Sequence, residues 1–185
     1  MHDTSLRRVP APLEIKNFSQ TGEFYGYASV FDVVDRDGDI LLRGAFLRTL
    51  REMKLSGKRP KLLWQHDTTR PIGIWQEIRE DSYGLFVRGK ILLDLEKGRE
   101  AYTLLKNKAL EGLSIGFIPM KSRPATALHA KRFLEEVALL EISLVTFAAN
   151  PLANVTVCKG KSAFRAEDPL IETALRRLAR FLQTP

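Results

Sequence analysis

The sequence predicts a β-rich body with two or three helices, either an α+β fold or a helix-flanked barrel. Three observations carry this expectation. Short aromatic and β-branched runs recur from residue 13 to residue 158. Two segments between them, 45–55 and 95–110, place apolar residues at helical spacing. Turn-forming clusters punctuate the chain, notably Asp35-Arg36-Asp37-Gly38-Asp39 and Asp81-Ser82-Tyr83-Gly84.

Residues 1–12 read as a flexible polar lead-in and 13–31 as strands, with Glu23 to Phe31 patterned as a half-buried strand. Phe46, Leu47, Leu50 and Met53 suit one helix. Lys61 to His66 is a short apolar run, expected to be a buried strand that ends at His66. Asp67 to Pro71 reads as a polar turn. Residues 72–80 and 84–93 form a predicted hairpin. Leu95, Tyr102, Leu105 and Leu110 stand among charges, as on a surface helix. Residues 112–119 read as strand, 121–131 as a polar loop, and 133–147 and 152–158 as strands. The expected division is therefore a lead-in at 1–12, a domain at 13–158, and a linker with a helix at 159–185. In that tail Asp168 and Pro169 make a helix start, and Ile171, Leu175, Leu178 and Leu182 form an apolar stripe. Such a stripe packs on its own domain, on a second copy of the chain, or on another protein.

The 185 residues and 44% hydrophobic content suit a single domain with a true core. No apolar run has transmembrane length, and the first residues lack a signal-peptide core, so neither membrane attachment nor export is expected. Cys158 is the sole cysteine, which excludes an intrachain disulfide and a cysteine zinc site. The net charge of +7 raises a nucleic-acid partner. Arg43, Arg48, Arg51, Lys54, Lys58 and Arg59 fall around one predicted helix, but few aromatics lie among them for base stacking. The tail holds six Lys and Arg against three Asp and Glu, leaving +4 for the rest. That is too mild to favour nucleic acid.

The Asp35 segment has the start of a calcium loop. However, its sixth and twelfth positions are Ile40 and Phe46, where glycine and glutamate are needed, so it reads as a tight acidic turn. His2, His66 and His129 are the only histidines, too few for a histidine metal site. No metal or organic cofactor is expected.

One segment carries chemistry. Gly112-Leu113-Ser114-Ile115-Gly116 has the G-x-S-x-G spacing of an activated serine, alongside the reading of a plain glycine-tolerant strand. Phe117-Ile118-Pro119 continues as strand rather than helix, and His66 precedes the serine. Neither fits an α/β-hydrolase. A histidine at a strand end can take a serine proton and return it to a leaving amine. Strand alternation puts Leu139, Glu141, Ser143 and Val145 on one face, with Leu140, Ile142 and Leu144 on the other. Both faces are largely apolar, so Glu141 is expected to be buried. A buried carboxylate needs a partner, which His66 or an arginine would supply. Ser143 is a rival nucleophile without flanking glycines.

Together these segments resemble the prohead (capsid-maturation) protease family of tailed phages. The matching stretches are Gly26 to Asp32, Gly38-Asp39 with Gly44-Ala45-Phe46, Leu63 to Asp67 with Pro71-Ile72-Gly73, and Gly98 to Tyr102. Gly112 to Phe117 and Glu141 to Thr146, running to Asn150-Pro151, complete the set. The resemblance covers roughly residues 22–157. It implies a herpesvirus-protease-like fold, a β-barrel core wrapped by helices. It also implies a serine endopeptidase with Ser114 as nucleophile, His66 as base and Glu141 as third member. Herpesvirus relatives carry a second histidine at that third place, and Asp67 stands close by. Backbone N–H groups beside Gly112 or Gly116, or Arg132, are the candidates for an oxyanion site. The implied partners are the major capsid protein or its scaffolding domain, and the chain itself by self-cleavage. The implied place is the immature capsid in the host cytoplasm. The competing readings are a catalytically silent capsid assembly factor and a basic nucleic-acid-binding β-domain.

Overall fold

The computed structural model describes residues 20–125 and 130–156. The expected lead-in at 1–12, the strand-like stretch 13–19, His129, Cys158 and the tail with its amphipathic helix lie outside them. The elements run β1 (Glu23–Val30), β2 (Asp39–Leu41), α1 (Leu47–Ser56), β3 (Lys61–Trp64), β4 (Asp67–Glu80) and β5 (Gly84–Ile91). They continue with α2 (Glu96–Lys106), β6 (Gly112–Pro124), β7 (Arg132–Val145) and β8 (Val155–Thr156).

The strands form one mixed sheet in the order β2-β7-β3-β4-β5-β1-β8, with β6 also on β7. β7 pairs in parallel with β2 and β3, and antiparallel with β6 along nearly its whole length. The sheet curls back on itself. Asn154 bridges Gly112 at the start of β6, and the Leu113 N–H donates to the Ala153 carbonyl at 3.0 Å. The Val155 N–H donates to the Glu111 carbonyl at 2.8 Å. The result is the expected barrel-like core with helices against it.

Inside lie Phe24, Phe46, Leu62, Ile72, Leu85, Ile91, Leu113, Leu134, Ile142 and Leu144, each fully buried. A side chain of this size contributes about 1.5–3 kcal/mol on burial, so this interior supplies the main driving force. The β4–β5 hairpin turns where expected, with Asp81 Oδ1 accepting from the N–H groups of Tyr83 and Gly84 at 2.9 and 3.2 Å. α2 buries Gly98, Ala101 and Leu105, a stripe of spacing three and four that faces the sheet.

α1 has a second task. Between the stretches of β7 that pair with β2 and β3, no strand covers its edge. There the buried Thr49 hydroxyl donates to the Val137 carbonyl at 2.9 Å and accepts from the Leu139 N–H at 3.1 Å. The Val137 N–H donates to the Ala45 carbonyl just upstream. The Glu80 carboxylate fixes the approach to α1 by accepting from the Gly44 and Phe46 N–H groups at 2.5 and 3.1 Å. A negative charge at that helix end also complements its dipole.

Several boundaries differ from expectation. The strand expected at 61–66 stops at Trp64. Gln65 and His66 form a two-residue hairpin turn with φ of 51° and 62°. Both central residues at positive φ is the turn geometry whose twist matches paired strands. Consequently Asp67 to Pro71, expected as a turn, begins β4. β6 extends through Lys121, Ser122 and Arg123 to Pro124, residues expected in a loop. Cross-strand ion pairs hold it there: Lys121 and Arg123 both reach Glu135, at 2.7 and 2.9 Å. β2, only three residues long, was not expected at all. Leu47, placed on the apolar side of α1 by spacing, is exposed, whereas Thr49 takes the inner position.

The acidic turn is a turn, with Asp35 Oδ1 accepting from the N–H groups of Asp37 and Asp39 at 2.9 and 2.8 Å. Asp39 is buried and forms a two-pronged pair with Arg132, at 2.7 and 2.8 Å. In the basic cluster, Arg48 is bound to Glu52 and Glu136, Arg43 to the Ser82 carbonyl, and Arg59 to the Trp75 and Gln76 carbonyls. No helix among the described residues is long and apolar enough to cross a membrane.

Thr49→Val keeps the shape of the side chain but strands two buried backbone groups. It is expected to lower stability by about 2–3 kcal/mol. A denaturant titration should show an earlier midpoint with an unchanged slope.

Candidate active site

β7 supplies the floor of the site. Its residues Glu141 and Ser143 stand on the face opposite Ile142 and Leu144, which point into the core. β6 lies alongside with Ser114 paired to Ser143 and Gly116 paired to Glu141. Directly paired residues share a face, with Cα atoms about 5 Å apart. Ser114 therefore stands one strand over from Ser143, on the Glu141 side. On the other edge of β7, β3 runs parallel with Leu63 level with Ser143. Just past its end, the Gln65-His66 turn brings His66 back over β7.

That turn is fastened to β7 at several points. The Gln65 N–H donates to the Leu144 carbonyl at 3.0 Å. The Gln65 side chain exchanges bonds with Thr146, Nε2 to Oγ1 at 2.9 Å and the Thr146 N–H to Oε1 at 3.3 Å. The His66 N–H donates to Ser143 Oγ at 3.1 Å. The imidazole then meets the carboxylate, with Nδ1 2.6 Å from Glu141 Oε1. Ser143 Oγ donates to the other carboxylate oxygen, Oε2, at 2.5 Å. Both oxygens of the buried carboxylate are thus satisfied, as its low exposure of 12% requires.

The Glu141 bond raises the pKa of His66 above the ordinary imidazole value. The carboxylate charge adds to this and partial burial opposes it. With Nδ1 committed to a carboxylate, the neutral ring carries its proton there and leaves Nε2 as an acceptor. Asp67, the other acid close to His66 in sequence, is engaged elsewhere. Its carboxylate accepts from the Thr69 N–H and hydroxyl at 2.9 and 2.6 Å and pairs with Arg70 at 3.1 Å. The Thr69 bonds hold its pKa below the usual carboxylate value.

The glycines beside Ser114 serve neighbours rather than their own backbone. A Cβ on Gly116 would fall 2.2 Å from Glu141 Oε1, in the space the carboxylate needs to reach His66. A Cβ on Gly112 would fall 2.7 Å from the Val145 carbonyl and 3.2 Å from the Ala148 nitrogen. Among the described residues, the N–H groups of Phe147, Ala148 and Ala149 donate to no acceptor. Arg132, a candidate for this region from sequence, is far off. It lies nine residues from Glu141, about 30 Å along the strand, and is held by Asp39.

The structure thus brings Ser114, His66 and Glu141 to one face. It places Ser143 beneath them with its hydroxyl doubly bound and fully buried, a poor position for a nucleophile. Sequence alternation found the shared face of Glu141 and Ser143. It missed the bulge at Leu140, where Gly116 pairs with Glu141 but Phe117 pairs with Leu139. The bulge turns Leu139 inward and leaves Leu140 54% exposed, the reverse of simple alternation.

The sequence profile of the caudovirus prohead serine proteases matches residues 11–166. The chain belongs to that family. Over 139 residues it is 34% identical to the prohead protease of Enterobacteria phage HK97, spanning 75% of this chain and 60% of that one. Among solved structures, the bacteriophage T4 capsid assembly protease superposes with a TM-score of 0.54 at 11% identity, over 72% of this chain and 92% of that one. The KSHV protease, solved with a hexapeptide phosphonate inhibitor, gives 0.51 at 13%, over 84% and 76%. The curled, helix-flanked sheet is therefore the fold shared by the prohead and herpesvirus proteases.

Gly116→Ala is expected to fold, because only the end of the Glu141 side chain stands in the way. The methyl group should push the carboxylate off His66. In an NMR titration the His66 midpoint should then fall toward the ordinary imidazole value.

Proposed function

We propose that the chain is a serine endopeptidase that cleaves capsid subunits during prohead maturation. The observation that carries this reading is the His66–Glu141 pair on the same sheet face as Ser114, within the prohead protease fold. Ser114 is the nucleophile, His66 the general base and Glu141 the residue that orients the imidazole and stabilises its charged form.

The reaction follows from those roles. The Ser114 hydroxyl attacks a peptide carbonyl as its proton passes to His66 Nε2. The oxyanion that forms is held by backbone donors, for which the Ala148 N–H beside Gly112, without an acceptor among the described residues, is suited. His66 then gives the proton to the departing amine, leaving an ester on Ser114. Water, deprotonated by the same imidazole, cleaves the ester and restores the hydroxyl. Past Leu113, the second edge of β6 is unpaired among the described residues, and an extended peptide fits such an edge. The chain matches only part of its HK97 relative, so substrate and partner are argued from family membership. They are the scaffolding part of the major capsid protein, and the chain itself, inside the immature capsid. Residues 13–158 form the catalytic domain, and the helix expected after Asp168 is the candidate contact with the capsid subunit or a second copy.

The deciding experiment is the intact mass of a capsid subunit co-produced with this chain. Shortening with Ser114 and none with Ser114→Ala is the expected outcome. Full-length subunits in both, with particles formed, would point to a silent assembly factor.

His66 must be neutral to act as base, and its pKa is raised in the folded protein. Activity should therefore climb with pH through a midpoint above that of free imidazole. Glu141→Gln removes the negative charge and can set an amide N–H donor where a carboxylate oxygen accepted, so the midpoint should move to lower pH. The plateau should also drop, by up to about 10⁴-fold if the ring takes the wrong tautomer. A pH profile of peptide cleavage by the two proteins checks both.

A further inference from the structure

Ser143 is a buried polar side chain beside the site to which the reaction assigns no step. Its hydroxyl does two jobs at once. It accepts the His66 backbone N–H at 3.1 Å and donates to Glu141 Oε2 at 2.5 Å. We propose that Ser143 is a positioning residue that locks the base and its acid to each other through a single oxygen. This rests on the reading of Ser114, His66 and Glu141 as a proteolytic site.

The geometry explains why such a clip is needed. His66 sits on an exposed turn, with 44% of its side chain open to solvent. It holds φ at 62°, a left-handed backbone that costs a residue with a Cβ about 1–2 kcal/mol. Neither residue of the turn is a glycine, so tertiary bonds must help to hold that conformation. Gln65 ties the first half of the turn to Leu144 and Thr146, and Ser143 ties the second. Glu141 has the complementary problem, because a glutamate side chain has three free torsions. Fixing Oε2 on Ser143 leaves Oε1 as the oxygen that faces Nδ1. Gly116 keeps that path clear. The two constraints meet on one atom, so a displacement of the turn or of the carboxylate pulls on the same oxygen.

The other charged groups around the imidazole do not duplicate this role. Asp67 is held by Thr69 and Arg70, and Lys61 on β3 is level with Glu141 but exposed. Ser143 also has no path to act on substrate, being fully buried beneath the pair. Its effect must pass through His66 and Glu141.

The test uses the full chain with the His66 ring followed by NMR and cleavage of a capsid-derived peptide followed in parallel. Ser143→Ala is expected to lower kcat by on the order of 100-fold, with KM little changed. The His66 midpoint should fall toward that of free imidazole as Glu141 loses its fixed orientation. A variant with wild-type kcat and an unmoved His66 midpoint overturns the proposal. A folding defect alone would lower the amount of active protein and leave the midpoint where it was, which also counts against positioning. Should Ser143→Ala not fold, hydrogen exchange of the wild-type chain decides. The His66 amide should exchange slowly although its turn is exposed, whereas exchange as fast as in a free peptide overturns the clip. A wild-type chain that cleaves no peptide sinks the protease reading, and the midpoint and exchange rate still judge Ser143 on their own.

Discussion

Strand β7 has fourteen residues whose backbone groups point to both sides, and most of its length is buried. Every one of those groups must find a partner or cost free energy. β6 covers one edge. The other is shared by β2 at residues 132–134, the Thr49 hydroxyl at 137 and 139, and β3 at 141–144. Four elements from separate parts of the chain are thereby brought to a single strand. The core, the position of α1 and the approach of the His66 turn all follow from how that edge is completed.

The buried acid obeys the same rule in electrostatic form. Glu141 lies in a largely apolar setting, where an unpaired carboxylate would be strongly unfavourable. Its two oxygens are met by His66 and Ser143, and the histidine responds by binding its proton more tightly. The sequence already contains the argument for this pairing: an acidic residue on an apolar strand must have a partner. The structure identifies which one and adds the second donor.

Much of the fold was legible from periodicity. The β4–β5 hairpin, both helices, β1 and the central strands β6 and β7 carry strong apolar patterns, and their positions hold within a few residues. What escaped has physical causes. The Gln65-His66 turn has positive φ without the glycine or asparagine that normally marks it, because distant hydrogen bonds hold it. The polar start of β4 is a strand only because the Gln65-His66 turn folds it back onto β3, and the charged end of β6 is a solvent-facing strand held by partners across a loop, such as Glu135. β2 is too short to leave a pattern. Of the candidate site, Ser114, His66 and Glu141 were visible as residue types in context. The use of Gly116 to seat a carboxylate was not, since it depends on register across two strands. Arg132 was misread for the same reason: its sequence neighbours do not reveal that Asp39 holds it.

The register between β6 and β7 gives the site an all-or-none character. Residues 66, 114 and 141 come from three segments that share no local contacts in sequence, and they meet only when these strands are aligned. Because side chains alternate along a strand, a slip of one residue would send Ser114 into the core and Leu113 out to the histidine. The chain thus gathers all three side chains only when both pairings on β7 are made. An unfinished sheet carries the same three residues with no face in common.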